Sequence, residues 1–570
     1  MERNEAMSWN IKQHLRTLLA AETNLYPQGR SRGGDLAICL VYPNRYQTGM
    51  SSLGFQKVYS LLVSVPGIAC ERAFLPEKSD LAEHKKSGLP LLSLESQRPL
   101  ADFDIIAFST SFEPDYLNIP LILTLAHLPL LTSERTERDP LIIAGGAAFF
   151  INPEPVADFI DVVCIGEGEE IIPAIVSAFM APGADGRPGL LAALATITGI
   201  YIPSYYRPVY VNDRLISYDR APNAPDRIVR ACPPLERHTP ASSVILTDQT
   251  EFGDMFLIEV SRGCPRGCRF CTSGFIYSPF RQNRFEAVAA LVDEGLTHRT
   301  KIGLVGAAVS DYRDIGRLCG YIVRQGGKVS VSSLRIDRLD PEMIDALVAS
   351  GHKTISLAPE GGSQRLRDMI RKNLTREQIL DACEMLITQD ILNLKLYVII
   401  GLPTETMEDL DELIRLVMDI RERVVTQARQ NRRLGEITLS INPFIPKPFT
   451  PFQWCGMEPI PSLERKVKFL EGALKGVANV QLKVESLKGC RLQALLSRGD
   501  RRLSELLVRM AEGMNLKKGA KLCGIDTEEL VCRTIPLDEP LPWGIIASGD
   551  AELLRAEYER AFGAAGNGGQ

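Results

Sequence analysis

The chain has 570 residues, of which 45% are hydrophobic and 24% are charged, and its formal net charge is −5. These values are ordinary for folded domains and exclude a largely disordered chain or a protein that coats nucleic acid through its overall charge. The N-terminus is charged, and the longest apolar stretch, near 119–131, is broken by Pro120, His127 and Pro129. We therefore expect a soluble, cytoplasmic protein without a membrane segment.

The N-terminal part predicts a helical arm over residues 1–34 and an α/β domain over residues 35–180. Short apolar runs, each typical of a buried strand, occur at 36–43, 103–111, 140–148 and 161–170. Buried strands that alternate with helices are typical of a parallel sheet with helices on both faces. We expect residues 35–180 to form a doubly wound domain of this kind.

Small residues stand at the ends of these predicted strands, where doubly wound sheets bind their ligands. They are Ser109, Thr110, Gly145 and Gly146. Side chains of this size would let a ligand approach the backbone, but they also make tight turns. The pattern alone leaves both interpretations open.

The remainder of the chain predicts three further segments. Residues 181–250 are rich in Pro and predict a linker with a small β element. Strand candidates then recur at 255–261, 301–306, 328–334, 354–360, 394–403 and 436–442. Because helical stretches separate them, residues 251–460 predict a partial (β/α)6 barrel. Residues 461–570 predict a mainly helical region with one strand candidate at 480–485 and a disordered tail at 563–570.

Three cysteines are clustered, whereas the other ten are mostly scattered. Cys264, Cys268 and Cys271 have the spacing C-x3-C-x2-C directly after the first predicted barrel strand, on the face where barrel active sites lie. Thiolates are soft ligands for iron–sulfur clusters and zinc. Three thiolates would leave one iron of a four-iron cluster open, which suits binding of a chelating substrate better than pure electron transfer.

The residues alone leave other interpretations of these cysteines open. A structural zinc site would need a second ligand pair, and the sequence contains no second C-x2-C. A distant cysteine, such as Cys319 or Cys455, could complete a four-cysteine cluster. Inert burial is disfavoured, because three cysteines within eight residues beside Pro, Arg and Gly are not a core pattern.

This motif, with the aromatic Phe270 before its last cysteine, resembles that of the radical S-adenosylmethionine (SAM) enzymes. The resemblance implies that a 4Fe-4S cluster on the three cysteines chelates the amino and carboxylate groups of SAM at its open iron, with Phe270 as a SAM contact. It also implies that an electron from the reduced cluster cleaves the sulfonium to a 5′-deoxyadenosyl radical. A flavodoxin or ferredoxin would supply that electron.

The resemblance extends over 255–455 and implies further SAM contacts. Gly306 lies where the family has a Gly-rich loop that contacts the methionine amino group, although the acidic residue of the commoner Gly-Gly-Glu form is missing here. Ser332, Arg335 and Glu360 resemble the polar groups that hold the carboxylate and the ribose.

Gly401 and Pro403, in VIIGLPTE, resemble the family segment that lies against adenine. Structural interpretations of the same features also stand. Glu360 could begin a helix, where an acidic side chain suits the dipole, and Gly401 could begin a loop.

The whole chain resembles radical SAM proteins that carry an N-terminal cobalamin-binding-type domain, and its barrel is also similar to methylthiotransferases and the Elongator catalytic subunit. The resemblance implies that Ser109, Thr110, Gly145 and Gly146 contact cobalamin. However, many such domains carry Asp-x-His-x-x-Gly after the first strand, and this chain reads YPNRYQTGM without a histidine. Cobalamin could bind without a protein histidine ligand, or the domain could be a relic.

The reaction is open at this stage. With cobalamin, the resemblance implies methylation; otherwise it allows methylthiolation and other radical reactions, and a non-catalytic iron–sulfur scaffold or electron-transfer protein is the alternative.

Residues 441–521 contain 15 Lys or Arg and 7 Asp or Glu. Such a segment could hold RNA, for instance through Arg501 and Arg502, or could be a solvated helix face.

Overall fold

The computed structural model describes residues 2–26, 34–181, 186–431 and 433–563. The tail expected to be disordered lies outside these residues, except for Gly563. Within the described ranges, every helix is too short or too polar to span a bilayer.

The chain folds into two compact units. The first contains residues 1–253, 496–527 and 538–548, and the second contains residues 254–495, 528–537 and 549–570. The sequence predicts consecutive segments instead. The structure differs because residues after 495 are divided between the two units.

The strands and helices have the following bounds. The strands are β1 (Thr23–Asn24), β2 (Leu36–Tyr42), β3 (Ile68–Phe74), β4 (Ile105–Ser109), β5 (Leu141–Gly145), β6 (Val162–Cys164), β7 (Ile200–Tyr201), β8 (Tyr206–Val211), β9 (Arg214–Arg220), β10 (Ile228–Val229), β11 (Ile245–Leu246), β12 (Met255–Glu259), β13 (Ser261–Arg262), β14 (Arg281–Gln282), β15 (Lys301–Val305), β16 (Lys328–Val331), β17 (Thr354–Glu360), β18 (Asn393–Ile400), β19 (Ile437–Pro443), β20 (Val480–Val484) and β21 (Ile546–Ala547). The α-helices are α1 (Glu2–Ala20), α2 (Tyr46–Met50), α3 (Leu53–Ser64), α4 (Lys78–Ser87), α5 (Asn118–Leu125), α6 (Ala147–Ile151), α7 (Gly168–Met180), α8 (Gly186–Leu194), α9 (Ser273–Ile276), α10 (Phe285–Leu296), α11 (Ile315–Arg324), α12 (Pro341–Ala349), α13 (Gln364–Met369), α14 (Arg376–Thr388), α15 (Met407–Asn431), α16 (Ile460–Leu474), α17 (Leu487–Arg498), α18 (Leu503–Ala511), α19 (Leu516–Leu522), α20 (Thr527–Cys532) and α21 (Ala551–Gly563).

The first unit is built on a sheet with the order β3-β2-β4-β5-β6-β7. All neighbouring strands in it are parallel except β6 and β7. The chain reverses its direction of winding between β2 and β4, which is the doubly wound arrangement that the sequence predicts. Ligands of such sheets bind at the carboxyl ends of the strands beside this reversal.

Strand β3 is absent from the sequence prediction because charged residues interrupt its apolar pattern. Its Arg72 is fully buried and forms ion pairs with Glu22 at 2.6 Å and with Glu95 at 2.7 Å. A buried guanidinium that is paired in this way is tolerated in an edge strand of the sheet. The pairing partners are distant in sequence, so the pattern of β3 alone could not reveal them.

The second unit contains parallel strands in the order β12-β15-β16 and β17-β18-β19-β20. A parallel bridge between Leu334 and Leu357 connects the two sets. This arrangement confirms the α/β class with a partial barrel. In the part of the chain that the structure describes, the barrel has a seventh strand, because β20 pairs in parallel with β19.

Strands β17, β18 and β19 alternate between buried and half-buried side chains. Successive side chains of a strand point to opposite faces of its sheet. The buried face is apolar. The other face carries polar residues, among them Glu360, Lys395, Tyr397 and Asn442. The barrel therefore has one half-exposed polar face, which is suited to holding a polar ligand.

Candidate functional site

The three clustered cysteines lie on a loop that begins after β12. Strands β13 and β14 pair in antiparallel fashion and close this loop at its base. Gly263 has a φ of 85°, and a Cβ atom there would lie 2.6 Å from the carbonyl oxygen of Tyr277. Only glycine fits this close approach without strain. We call residues 263–280 the cysteine loop.

The thiols of Cys264, Cys268 and Cys271 are free and close to one another. Cys268 is 8% exposed, and the other two are half-buried. Burial raises the pKa of all three thiols, and each also responds to the charge of another of the three. Metal binding would therefore displace protons from these groups.

The three thiols can be compared with the ligand sets of a single ion and of a cluster. Among the described residues, no group of three or more His, Cys, Asp or Glu side chains is gathered tightly enough to hold one metal ion. The thiolate ligands of a four-iron cluster need not be so gathered, because each binds a different iron. The donor set of three soft thiolates therefore fits an iron–sulfur cluster.

An ion-pair network joins the cysteine loop to the loops after β15 and β16. Nη2 of Arg266 donates to Oδ1 of Asp311 at 2.6 Å, and Nη1 of Arg266 lies 3.3 Å from Oδ2 of Asp337. Arg335 donates from Nε to Oδ1 of Asp337 at 3.0 Å, and its backbone N–H donates to Ser310 Oγ at 3.2 Å. The predicted SAM residue Arg335 is thus part of the frame around the cysteines.

Three buried polar atoms in or beside the loop after β15 lack a hydrogen-bond partner among the described residues. They are Ser261 Oγ, Tyr312 Oη and Asp311 Oδ2, and the last of these lies 3.5 Å from Nε of Arg335 in an ion pair. Gly306 lies against this group, since a Cβ atom there would be 2.8 Å from Ser261 Oγ. Buried polar atoms without partners are rare in folded proteins. A polar ligand at this position would satisfy them, so the residues present fit SAM.

Glu360 ends β17 in a conformation that is uncommon for a residue with a side chain. Its φ is 63°, and the register of β17 against β18 shifts between Leu357 and Glu360. Its Oε1 lies 3.3 Å from Nζ of Lys372, and its charge raises the pKa values of the Cys268 and Cys271 thiols. Strained residues of this kind concentrate at functional sites. The structure therefore places Glu360 beside the cysteines.

The other predicted SAM residues have different surroundings. Ser332 is exposed, after the end of β16. Gly401 has a φ of 71°, and its N–H donates to Oε2 of Glu405 at 2.7 Å. Gly401 and Pro403 follow β18, the neighbour of β17. Phe270 packs against an apolar cluster that includes Phe452, so a SAM contact for Phe270 stays a prediction.

Arg269 is a residue that the sequence analysis missed. Its Nη1 donates to the carbonyl oxygen of Met369 at 2.6 Å, and its Nε donates to Oε2 of Glu557 at 3.1 Å. Glu557 also pairs with Arg371 at 3.2 Å. This contact ties the cysteine loop to α21, which lies 288 residues further along the chain. No local sequence signal marks such a partner.

A second candidate site lies at the carboxyl edge of the sheet in the first unit. Thr110 is fully buried, and its Oγ1 has no hydrogen-bond partner among the described residues. Gly146 has a φ of 107°, and a Cβ atom there would lie 2.4 Å from the Thr110 carbonyl oxygen. Ser109 and Gly145 pair across β4 and β5, and Phe112 is 53% exposed nearby in sequence. The backbone of Thr110 fills the space beside Gly146, so the glycine serves the close packing of this edge, and the orphaned Thr110 hydroxyl is the group here that a bound ligand would satisfy.

The stretch after β2 supplies no histidine to this edge. Its aromatic residue Tyr46 is buried, and its hydroxyl donates to Oε1 of Glu22 at 2.7 Å. Asn44 instead donates from Nδ2 to Oδ1 of Asp115 at 2.7 Å, and burial raises the pKa of Asp115 to about 6. A cobalamin bound here would therefore lack a histidine ligand from this stretch.

The basic C-terminal segment is less available to RNA than its composition indicates. Arg501 is nearly buried in the first unit, where it donates to Tyr201 Oη at 2.7 Å and pairs with Glu154 at 3.1 Å. Arg502 pairs with Asp500 at 2.8 Å. Acidic partners thus already balance both arginines, and RNA binding stays a prediction.

Two family descriptions match the chain and together cover more than half of it. "Radical SAM proteins, N-terminal" matches residues 54–203, and "Radical SAM superfamily" matches residues 258–417. The second range contains the cysteine loop, Gly306, Glu360 and Gly401.

Two relatives match parts of the chain. An uncharacterised protein of Methanocaldococcus jannaschii is 27% identical over 474 residues, which are 82% of this chain and 90% of that protein. A tRNA-2-methylthio-N(6)-dimethylallyladenosine synthase of Hydrogenobaculum sp. is 25% identical over 221 residues, which are 36% of this chain and 50% of the synthase. This chain therefore spans only half of the synthase.

Among solved structures, the cobalamin-dependent SAM radical enzyme OxsB, with aqua-cobalamin and SAM bound, matches with a TM-score of 0.45 and 16% identity. The match covers 67% of this chain and 51% of the OxsB chain.

Proposed function

We propose that this chain, an enzyme that belongs to the radical SAM superfamily, cleaves SAM reductively at a 4Fe-4S cluster held by Cys264, Cys268 and Cys271. The observation that carries the proposal is the convergence of three free thiols, the strained Glu360 and three orphaned polar atoms at the carboxyl ends of neighbouring barrel strands. A cluster with an open iron, when bound, would supply one electron and a chelation point for SAM.

The protein residues around the thiols have separate parts in this proposal. The pairs Arg266–Asp311 and Arg269–Glu557 hold the cysteine loop in place. The orphaned hydroxyl of Ser261 lies at the Gly-rich loop, where it would hydrogen-bond the methionine part of SAM. The Glu360 carboxylate would accept hydrogen bonds from the ribose hydroxyls, since it keeps only one ion pair at 3.3 Å.

We further propose that the first unit binds cobalamin at the edge formed by Ser109, Thr110, Gly145 and Gly146. Bound there, cobalamin would carry the methyl group for a methylation, and the protein would hold it without a histidine ligand. The orphaned hydroxyl of Thr110 supports this proposal. Methylthiolation is the second candidate reaction, favoured by the partial similarity to the tRNA-modifying synthase.

The electron would come from a flavodoxin or ferredoxin. We place the protein in the cytoplasm, where free thiols such as these stay reduced.

The experiment is anaerobic and uses the full chain. Iron and sulfide are reconstituted, dithionite and SAM are added, and 5′-deoxyadenosine and S-adenosylhomocysteine are quantified by mass spectrometry, with and without cobalamin. We expect 5′-deoxyadenosine from the native chain, its loss in Cys264→Ala, and its retention in the matched control Cys490→Ala, which changes a buried cysteine outside the loop. Equal production by Cys264→Ala would refute the cluster proposal. Cobalamin-dependent S-adenosylhomocysteine would favour methylation, whereas S-adenosylhomocysteine that forms without cobalamin would favour methylthiolation, which also takes its methyl group from SAM.

A further inference from the structure

A cavity of about 350 Å³ lies within the first unit, apart from both candidate sites. Its walls come from α1, α2, α4, the carboxyl end of β3, residues 91–94 and residues 248–250. Its volume falls in the range of small-molecule sites. None of Ser109, Thr110, Gly145 or Gly146 lines it. The proposed cobalamin edge therefore does not account for this cavity.

One side of the cavity is apolar. Ile11, Leu15 and Leu18 lie about one helical turn apart on the same face of α1, and Phe74 and Leu92 also line the cavity. Polar contacts hold α1 in this position: Nδ1 of His14 lies 2.5 Å from Oδ2 of Asp80. The helix is thus held at the rim, while its apolar residues border open space.

The polar part of the lining is acidic. The carboxylates of Glu77, Asp80 and Asp248 line the cavity, whereas no Lys or Arg is among the described residues that do so. His84 is buried, and its Nδ1 lies 2.9 Å from the Leu89 carbonyl oxygen, so Nδ1 carries the proton and Nε2 is an acceptor. Burial also lowers the pKa of His84, which keeps it neutral near pH 7.

This charge distribution selects among ligands. Arg45 pairs with Glu77 from outside the cavity, and His14 pairs with Asp80 at its rim. Even so, Glu77, Asp80 and Asp248 are anions at neutral pH, and no Lys or Arg in the described lining offsets their charge. Asp80 is half-buried, whereas Asp248 is exposed and the Glu77 side chain is 43% exposed, so these two lie where solvent reaches the cavity. Carboxylates placed in this way attract a cation to the cavity and repel an anion.

We propose that this cavity binds a small protonated amine with an apolar body. The apolar body would lie against Leu15 and Phe74, and the ammonium group would lie among the carboxylates of Asp80, Glu77 and Asp248. The ammonium supplies hydrogen-bond donors, which match a lining whose ionised groups are all acceptors. This inference does not depend on SAM cleavage.

The test measures binding of three probes of nearly equal size to the full chain by titration calorimetry. The probes are 2-phenylethylamine, 3-phenylpropionate and 2-phenylethanol, which are cationic, anionic and neutral at pH 7.5. We expect saturable binding of the amine with a Kd at least tenfold lower than that of the alcohol, and no binding of the acid. The proposal would be overturned if the acid or the alcohol bound as tightly as the amine. It would also be overturned if binding of the amine did not saturate.

Variants separate the charge from the shape of the cavity. Asp80→Asn should weaken amine binding about tenfold and leave alcohol binding unchanged, whereas the exposed control Asp102→Asn should change neither.

Leu15→Trp should fill the cavity and abolish binding of every probe. Its control is Arg16→Trp, on the exposed side of the same helix. Unchanged amine binding in Asp80→Asn or in a folded Leu15→Trp would refute the site. Production of 5′-deoxyadenosine by the same variants reports separately on the proposed function.

Discussion

Asp311 accepts a hydrogen bond from Nη2 of Arg266 at 2.6 Å, and this contact joins the cysteine loop to the loop after β15. The Asp311 side chain is 5% exposed, and its Oδ2 also lies 3.5 Å from Nε of Arg335. Arg266 stands between the first two cysteines of the motif. The position of the cysteine loop is therefore set in part by charges of the protein itself.

Replacing Asp311 with asparagine should loosen the cysteine loop. Breaking a buried ion pair costs about 3–5 kcal/mol, and because Arg266 is partly exposed we expect about 1–3 kcal/mol here. The urea midpoint of the cluster-free chain should fall accordingly, and reconstituted iron per chain should fall with it. The matched control is Asp314→Asn, whose carboxylate is 3.9 Å from Arg317 at the surface. Equal effects of the two variants would contradict the role assigned to Asp311.

Replacing Thr110 with valine should separate stability from cobalamin binding. Because the buried hydroxyl of Thr110 lacks a partner, its removal should leave stability unchanged or raise it by about 1 kcal/mol. Thr450→Val is the matched control, since Thr450 is equally buried but its hydroxyl donates to the Lys447 carbonyl oxygen at 2.8 Å. Thr450→Val should lower the free energy of unfolding by about 1–2 kcal/mol.

Aquacobalamin titration followed by absorbance gives the second readout for Thr110→Val. We expect its Kd for cobalamin to rise about fivefold to tenfold, as for the loss of one hydrogen bond of about 1 kcal/mol. Thr450→Val should bind cobalamin like the native chain. An unchanged Kd in Thr110→Val would mean that this hydroxyl does not face the corrinoid.

Glu360→Gln should weaken SAM binding while the cluster is retained. The neutral amide is a poorer acceptor for ribose hydroxyls than a carboxylate, so we expect the Kd of SAM to rise about tenfold, which corresponds to about 1.4 kcal/mol. Calorimetry on the reconstituted chain measures this, and iron analysis checks the cluster. Glu377→Gln, in the first turn of α14, should behave as the native chain. Native affinity in Glu360→Gln would remove Glu360 from the SAM site.

The stability of the first unit should depend on pH through Asp115. Burial raises the pKa of its carboxyl to about 6, against about 3.9 in an unfolded chain. Between these values the folded state holds a proton that the unfolded state has lost, so the stability contributed at this position falls as the pH rises.

Comparison of Asp115→Asn with the native chain isolates this effect. The two should have similar urea midpoints near pH 4, and the variant should be more stable at pH 7.5 by about 1–3 kcal/mol, since each pKa unit corresponds to about 1.4 kcal/mol. The exposed Asp102→Asn should show no such trend. A constant difference between Asp115→Asn and the native chain at all pH values would exclude the titration of Asp115.

The sequence predicted those parts of the fold that depend on local patterns. Apolar runs located the barrel strands, and the spacing of the three cysteines predicted that they share one loop after the first barrel strand. Small residues at the predicted strand ends indicated Thr110 and Gly146 as ligand contacts, and this role stays a prediction.

Features that depend on distant partners could not be predicted in this way. Arg72 is acceptable in a buried strand only because Glu22 and Glu95 lie beside it. Arg501 is nearly buried because it contacts Glu154, which lies 347 residues away, so its own sequence context does not reveal this burial. Likewise, the sequence predicts β20 as a single strand in a mainly helical region. Only its pairing with β19 shows that it belongs to the barrel.

The division of the C-terminal residues between two units has a consequence for biosynthesis. The first unit needs β21 to pair with β10 and Arg501 to neutralise Glu154. Translation proceeds at about 5–20 residues per second, so roughly 15–60 seconds pass between synthesis of residue 253 and of residue 548. During that interval the nascent N-terminal portion holds a buried carboxylate without its guanidinium. A fragment that ends at residue 253 lacks both contacts, so we expect it to be less stable than the same residues in the full chain.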